Sequence, residues 1–291
     1  MKIGTRGSQL ARWQADWVRD RLAANRVGAE IVVIKTRGDA EVDRPLHELE
    51  GKGFFTKEIE DALLDGRIDV AVHSLKDLPT TLPAGLVLGA IPSRHDPREA
   101  LVNGRTIQDL APGTRVGTSS LRRVAQVRFL RPDVAVVPLR GNVPTRVRKV
   151  EDRDGLDAAL LALAGLERLG LGDKASVLDP LDIMPAPGQG ALGLEVRADD
   201  RATRKALELL HDAASAVAVG AERALLAALG GGCQAPVAAW VDGTRLYGRV
   251  TERDGASQLT ASSIIEGPPE RAGEAVARLL EGEGAASLLR P

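Results

Sequence analysis

Cys233 is the only thiol among 291 residues, and it follows three glycines in GGGCQAPVAA (230–239). One thiol closes no internal disulfide and builds no cysteine-rich metal site. Glycine opens backbone geometries closed to other residues, so this lead-in lets a loop carry the sulfur into a cleft. The local sequence admits two readings. Cys233 is either a small buried hydrophobe or a nucleophile whose thiolate is favoured by neighbouring Arg charge rather than by a histidine.

A carboxylate marks a second stretch, VAVHSLKDLP (70–79), where an apolar run passes into Ser74, Lys76 and Asp77 and stops at Pro79. Ligands of α/β sheets collect at the carboxyl ends of strands. Asp77 is therefore placed to act as acid, base or counter-ion, according to how its surroundings shift its pKa. The plainer reading is a turn aspartate with an exposed lysine neighbour.

Two further stretches look built for anions. VGTSSLRR (116–123) puts Thr118, Ser119 and Ser120 at a strand-to-helix turn, where free N–H groups and hydroxyls form a cradle. Arg122 and Arg123 then fall in the first helical turn. There they oppose the helix macrodipole unless an anion sits among them. LRGNVPTR (139–146) repeats the pattern with Arg140 and Arg146. Of 39 basic residues only 8 are Lys and 31 are Arg. Arginine's planar fork suits carboxylate or phosphate, so several converging on one cleft imply a substrate with several such groups. A general bias toward Arg accounts for most of the others.

Other chemistries lack their residues. No GxxxxGK[ST] and no GxGxxG after a strand occurs. The histidines at 47, 73, 95 and 211 lack metal-ligand spacing, and there is no HExxH. No Ser/His/Asp nucleophile elbow is present. The net charge of −1 creates no field for nucleic acid or membrane. The N-terminal stretch has no apolar run suited to a signal peptide and nothing approaches a bilayer span, so with a lone cysteine the expected compartment is the cytoplasm.

Short apolar runs alternating with amphipathic helices must position these groups. Strands are predicted at 2–5, 30–35, 68–74 and 86–91, with helices at 9–25, N-capped by Ser8, and 56–66. The long polar connection 36–55 between them reads as a functional lid or a disordered segment. This alternation predicts a mainly parallel sheet covered by helices. The stretch 92–99 reads as a crossover linker. A second α/β unit follows, with strands at 114–120 and 134–139 and a helix at 142–152, where Pro144 suits the first turn. DAALLALAG (157–165) fits strand or helix. Past 185–196 come helices at 200–211 and 214–229, strands at 236–242, 245–251 and 257–266, and a helix at 269–282, an α+β pattern. No internal repeat is visible.

Nine segments, in order and along the whole chain, resemble the porphobilinogen deaminase (hydroxymethylbilane synthase) family: GTRGSQLARWQA (4–15), TRGD (36–39), GKGFFTKE (51–58), AVHSLKDLP (71–79), GTSSLRR (117–123), LRGNVPTR (139–146), LALAGLERLGL (161–171), PAPGQGAL (185–192) and GGCQAP (231–236). The resemblance implies that Cys233 carries a dipyrromethane primer through a thioether. Four porphobilinogen units are then deaminated and joined head to tail, and hydrolysis releases hydroxymethylbilane. It implies Asp77 as the catalytic carboxylate. Cofactor-binding positions would be Ser74, Lys76, Thr118, Ser120, Arg122, Arg123, Arg140, Arg146 and Gln189, the last near a hinge. Substrate-binding positions would be Arg6, Ser8, Arg140, Arg146, Arg168, Lys52 and Lys57, with Phe55 stacking near a pyrrole ring. The acetate and propionate of every pyrrole unit would explain the arginines.

The fold so implied is α/β, with two domains like those of type II periplasmic binding proteins and a small α+β C-terminal domain. Their expected bounds are 1–92 with 191–208, 98–185, and 213–291. DAALLALAG becomes a strand. A monomer with no metal, nucleic-acid or membrane partner is expected. Two rivals differ at Cys233: a solute-binding protein gives it no role, and a cysteine hydrolase requires a partner histidine.

Overall fold

The computed structural model describes residues 1–36, 56–232 and 235–289. In chain order its strands are β1 (Lys2–Thr5), β2 (Glu30–Val33), β3 (Val70–Ser74), β4 (Leu86–Ala90), β5 (Glu99–Val102), β6 (Arg115–Gly117), β7 (Ala135–Val137), β8 (Ala158–Ala162), β9 (Ala175–Val177), β10 (Leu192–Arg197), β11 (Val237–Asp242), β12 (Arg245–Thr251) and β13 (Gln258–Ile264). The helices used below are α1 (Gln9–Ala24), α2 (Lys57–Leu64), α3 (Leu121–Leu130), α4 (Val143–Glu151), α5 (Leu163–Arg168), α6 (Arg201–Leu207), α7 (Ala213–Ala228) and α8 (Pro269–Gly282).

Two five-stranded sheets share one plan, β2-β1-β3-β10-β4 and β7-β6-β8-β5-β9. In each, three strands run parallel and the fourth is antiparallel to both its neighbours. The alternation of strands and helices predicts mainly parallel sheets, and this is what forms, with one antiparallel strand in each. The exceptions arise because the chain crosses between the sheets twice: β5 follows the outward crossing and β10 the return. The repeat is one of topology, with no counterpart legible in the sequence.

Alternate strand residues serve opposite faces. Val70 and Val72 of β3 join Ile3, Val18, Leu22 and Leu194 on one face, while Ala71 joins Ile59, Leu63 and Ile68 on the other. The second sheet divides likewise: Ala159 and Leu161 face α4, and Ala158 and Leu160 face the α3 side. With both faces covered, these strands read as continuous apolar runs. That is why DAALLALAG was ambiguous: it is strand over Ala158–Ala162 and helix from Leu163. The stretch expected as linker up to residue 99 ends one residue sooner, because Glu99 opens β5 and is fully buried.

β11, β12 and β13 form a separate antiparallel sheet, packed on α7 and α8 through Leu225, Val237, Val250, Val276 and Leu280. It docks on the crossings. Glu222 of α7 takes Arg94 through both carboxylate oxygens at 2.8 Å and accepts from Gly188 N at 2.8 Å and Val241 N at 3.1 Å. Arg94 Nε in turn donates to Gln189 O at 2.7 Å. The two crossings touch at Gly190, where φ is 86° and a Cβ would lie 2.5 Å from His95 O. Only glycine allows that approach.

Candidate active site

β3 ends at Ser74, and Leu75–Asp77 form one turn of 3-10 helix. Leu75 and Leu78 are buried beneath it, which leaves Lys76 half-buried and Asp77 exposed. Gln14 Nε2 donates to Ser74 Oγ at 2.8 Å, fixing the strand end against α1. Lys76 Nζ donates to Gln189 Oε1 at 3.1 Å, and Gln189 Nε2 reaches Pro97 O at 2.8 Å. One buried amide thus joins the lysine to both crossings. Burial lowers the Lys76 pKa to about 8, the Arg123 charge adding to the effect and Asp77 opposing it.

The second sheet supplies the opposite wall. Ser119 Oγ donates to Leu139 O at 2.8 Å and accepts from Leu139 N at 3.1 Å, locking the loops after β6 and β7 together. Thr118 is buried, its N–H on Val137 O at 3.0 Å, and Ser120 occupies the N-cap position of α3. Arg140 leads into Gly141, whose φ of 107° turns the chain toward α4, and Arg146 Nε donates to Gly141 O at 2.7 Å. Burial lowers the Arg146 pKa to about 10, reinforced by the charges of Arg123 and Arg140 and opposed by Asp77. Lys76, Arg122, Arg123, Arg140 and Arg146 therefore share one electrostatic neighbourhood with Asp77 and Glu99.

The first-turn arginines of α3 called for an anion, and the chain itself provides one. Glu99 accepts from Arg122 Nη2 at 2.5 Å and from Arg123 Nη2 at 2.7 Å. All three are enclosed, Glu99 at 0% and each arginine at 5% exposure. Burial by itself pushes Glu99 up, but the charges of Arg123 and Arg122 outweigh it and hold the carboxyl at about 2. The two arginines then part company. Arg122 Nη1 is spent on Met184 O, so both its terminal nitrogens are engaged inside the chain. Arg123 Nη1 donates to Leu160 O at 3.0 Å, but its buried Nε has no hydrogen-bond partner among the described residues. Nor have Nε and Nη2 of Arg140.

The other expected positions make different contacts. Arg168 reaches the return crossing: Nη2 donates to Gly190 O at 2.7 Å, the guanidinium lies 5.8 Å from the Trp13 ring, and Nε is buried without a partner among the described residues. Burial lowers its pKa to about 10. Ser8 caps α1, accepting from Ala11 N at 3.3 Å. Arg6 is half-buried just beyond β1, and Lys57 is exposed at the start of α2. Lys52, Phe55, Cys233 and all but the first residue of the 36–55 connection lie outside the described residues. Glu99, Arg94 and Glu222, which brace these groups, were not picked out from the sequence. For Glu99 the available signal was an acid directly before the apolar run ALV.

Residues 1–205 match the family model described as "Porphobilinogen deaminase, dipyromethane cofactor binding domain", and residues 216–282 match "Porphobilinogen deaminase, C-terminal domain". The chain belongs to the porphobilinogen deaminase family. A relative named porphobilinogen deaminase from Moorella thermoacetica is 49% identical, covering 100% of this chain and 96% of its own. One of the same name from Syntrophotalea carbinolica is 50% identical over 89% of this chain and 85% of its own. Among solved structures, a periplasmic substrate-binding protein of an ABC transporter from Coxiella burnetii has 16% identity and a TM-score of 0.44, over 74% of this chain and 93% of that one. Family membership spans both α/β sheets and the C-terminal α+β unit. No helix among the described residues is long and apolar enough to cross a membrane, and no group of three acidic, His or Cys side chains among them could hold a metal.

Proposed function

We propose that this chain joins four porphobilinogen molecules head to tail, with loss of ammonia, on a dipyrromethane primer bound through Cys233, and releases hydroxymethylbilane by hydrolysis. The observation that carries the reading is the cleft between β3 and the ends of β6 and β7. There Asp77 shares the neighbourhood of Lys76, Arg123, Arg140 and Arg146, and buried nitrogens of Arg123 and Arg140 have no partner among the described residues. Unpartnered buried guanidinium nitrogens are costly; a carboxylate can satisfy Arg140 through both Nε and Nη2 and Arg123 through Nε. The donor set thus fits a primer whose pyrrole rings carry acetate and propionate.

Bound there, the primer would supply the free pyrrole carbon to which the first unit is joined, each later unit adding to the one before it. Arg123, Arg140 and Arg146 would hold carboxylates, with Lys76 adding a charge that Gln189 orients. Thr118 and Ser120 would add donors at the start of α3. Arg122 acts on this reading as a brace for Arg123, through Glu99. Asp77 would accept hydrogen bonds from pyrrole N–H groups and balance the cationic azafulvene left when substrate loses ammonia, an electrostatic role set up before the reaction. Arg168, Arg6 and Ser8, with Lys52, Lys57 and Phe55, remain candidate substrate contacts. Units 1–92 with 191–208, 98–185 and 213–291 are the proposed domains, in a cytoplasmic monomer.

The test is intact mass together with ammonia release from porphobilinogen. Active protein should exceed its chain mass by one dipyrromethane, and Cys233→Ala should lack both the increment and the activity. Active protein at the bare chain mass would overturn the assignment.

A further inference from the structure

The turn that presents Lys76 and Asp77 cannot complete its own hydrogen bonds. Leu78 N donates to Leu75 O at 3.2 Å, and this closes the three-residue 3-10 turn. The last carbonyls of any helix lack intrahelical donors, and Pro79 has no N–H to continue the pattern. The carbonyls of Leu78 and Pro79, just past the turn, take their donors from the C-terminal unit. Arg223 of α7 places Nη1 at 2.9 Å from Leu78 O and 3.4 Å from Leu75 O, and Nη2 at 2.6 Å from Pro79 O. A cation also suits the carbonyl end of a helical turn. Leu75 and Leu78 pack in one buried cluster with Val219 of the same helix, so the turn rests on α7 through both apolar and polar contacts. The preceding residue, Glu222, ties α7 to the crossings through Arg94 and Gly188.

We propose that Arg223 is a positioning residue for the reaction, setting the place of Lys76 and Asp77 from the C-terminal unit; this rests on the role given to Asp77 above. Asp77 is the last residue of the turn, so where the backbone of 75–79 is held helps set its location. A planar guanidinium spanning three carbonyls fixes that backbone in orientation as well as distance. An ammonium offers one nitrogen and no fork. Displacing a catalytic group by about 1 Å can lower the rate roughly 100-fold.

The experiment compares wild-type protein, Arg223→Met and Arg223→Lys by intact mass, melting temperature, hydrogen exchange of residues 75–79, and kcat and KM for porphobilinogen per primer-loaded molecule. The expected result for Arg223→Met is retained primer, faster exchange at 75–79, and kcat lower by roughly 10- to 100-fold with little change in KM. Arg223→Lys should recover part of the kcat. A loaded, folded Arg223→Met protein with wild-type kcat, or unchanged exchange at 75–79, would overturn the inference. If the Met variant does not fold, the Lys variant decides: reduced kcat at an unchanged melting temperature supports it, and wild-type kcat overturns it. Wild-type protein without deaminase activity would instead refute the functional reading, while exchange at 75–79 would still report on the clamp.

Discussion

Arg123 donates through Nη2 to Glu99 Oε2 at 2.7 Å, inside a buried triad that Arg122 completes at 2.5 Å. The arginines at the start of α3 therefore have a counter-ion within the chain, and one carboxylate answers two cations. Removing one partner of such a buried group strands the others without neutralisation, a loss of about 3–5 kcal/mol.

Glu99→Ala should lower unfolding free energy by about that amount in urea at neutral pH. The pH dependence follows from Glu99 being held at about 2, below its ordinary value of 4.5. Its contribution is complete above the unfolded value and fades as pH falls toward 2, where the folded carboxyl takes up its proton. Wild-type and Glu99→Gln stabilities should accordingly converge between pH 4.5 and 2. Curves that stay parallel across this range would contradict the assignment.

Arg122 and Arg140 should separate structure from binding. Arg122 is engaged by Glu99 and Met184 O, so Arg122→Leu should reduce stability along with activity. Arg140 has buried Nε and Nη2 atoms without partners among the described residues. Arg140→Leu should therefore change unfolding free energy by no more than about 1 kcal/mol while impairing primer assembly or elongation. Denaturation paired with intact mass distinguishes the two.

Lys76 should mark the alkaline side. Its pKa is lowered from 10.5 to about 8, so between those values the unfolded chain holds more protons than the folded one. Stability then rises with pH across this window, as the cost of a partly desolvated ammonium is relieved. Lys76→Met should flatten that rise. Carboxylate binding that depends on the Lys76 charge should weaken above pH 8, visible as slower primer loading.

Asp77 is exposed at the end of its turn, so its removal leaves no cavity. Asp77→Ala should keep its melting temperature and lose turnover by about 10²–10³-fold, the scale of removing one preorganised electrostatic group. Normal turnover would refute its catalytic role.

Much of the fold was legible because α/β strands covered on both faces are long apolar runs bounded by turn residues. The C-terminal helix over 269–282 lies where its amphipathic spacing predicts. Strand directions were not legible. β5 and β10 owe their antiparallel sense to the two crossings, and pairing direction leaves no mark on a strand's own residues. The same limit applied to the arginines. Their position at strand ends signalled an anion, but nothing adjacent to Arg122 and Arg123 revealed that Glu99, 23 and 24 residues earlier, would meet them.

By itself the sequence determined the family, the strand-end placement of Asp77 and the cationic character of the cleft, since these depend on residue type and local spacing. Tertiary structure alone decided which arginine nitrogens are already spent and which remain buried without partners among the described residues. It also placed Arg223, 145 residues from Leu78, against the carbonyls beneath the Asp77 turn. Hydrogen bonds and buried charges are satisfied by whatever folding brings within about 3 Å, and that proximity is a property of the packed chain.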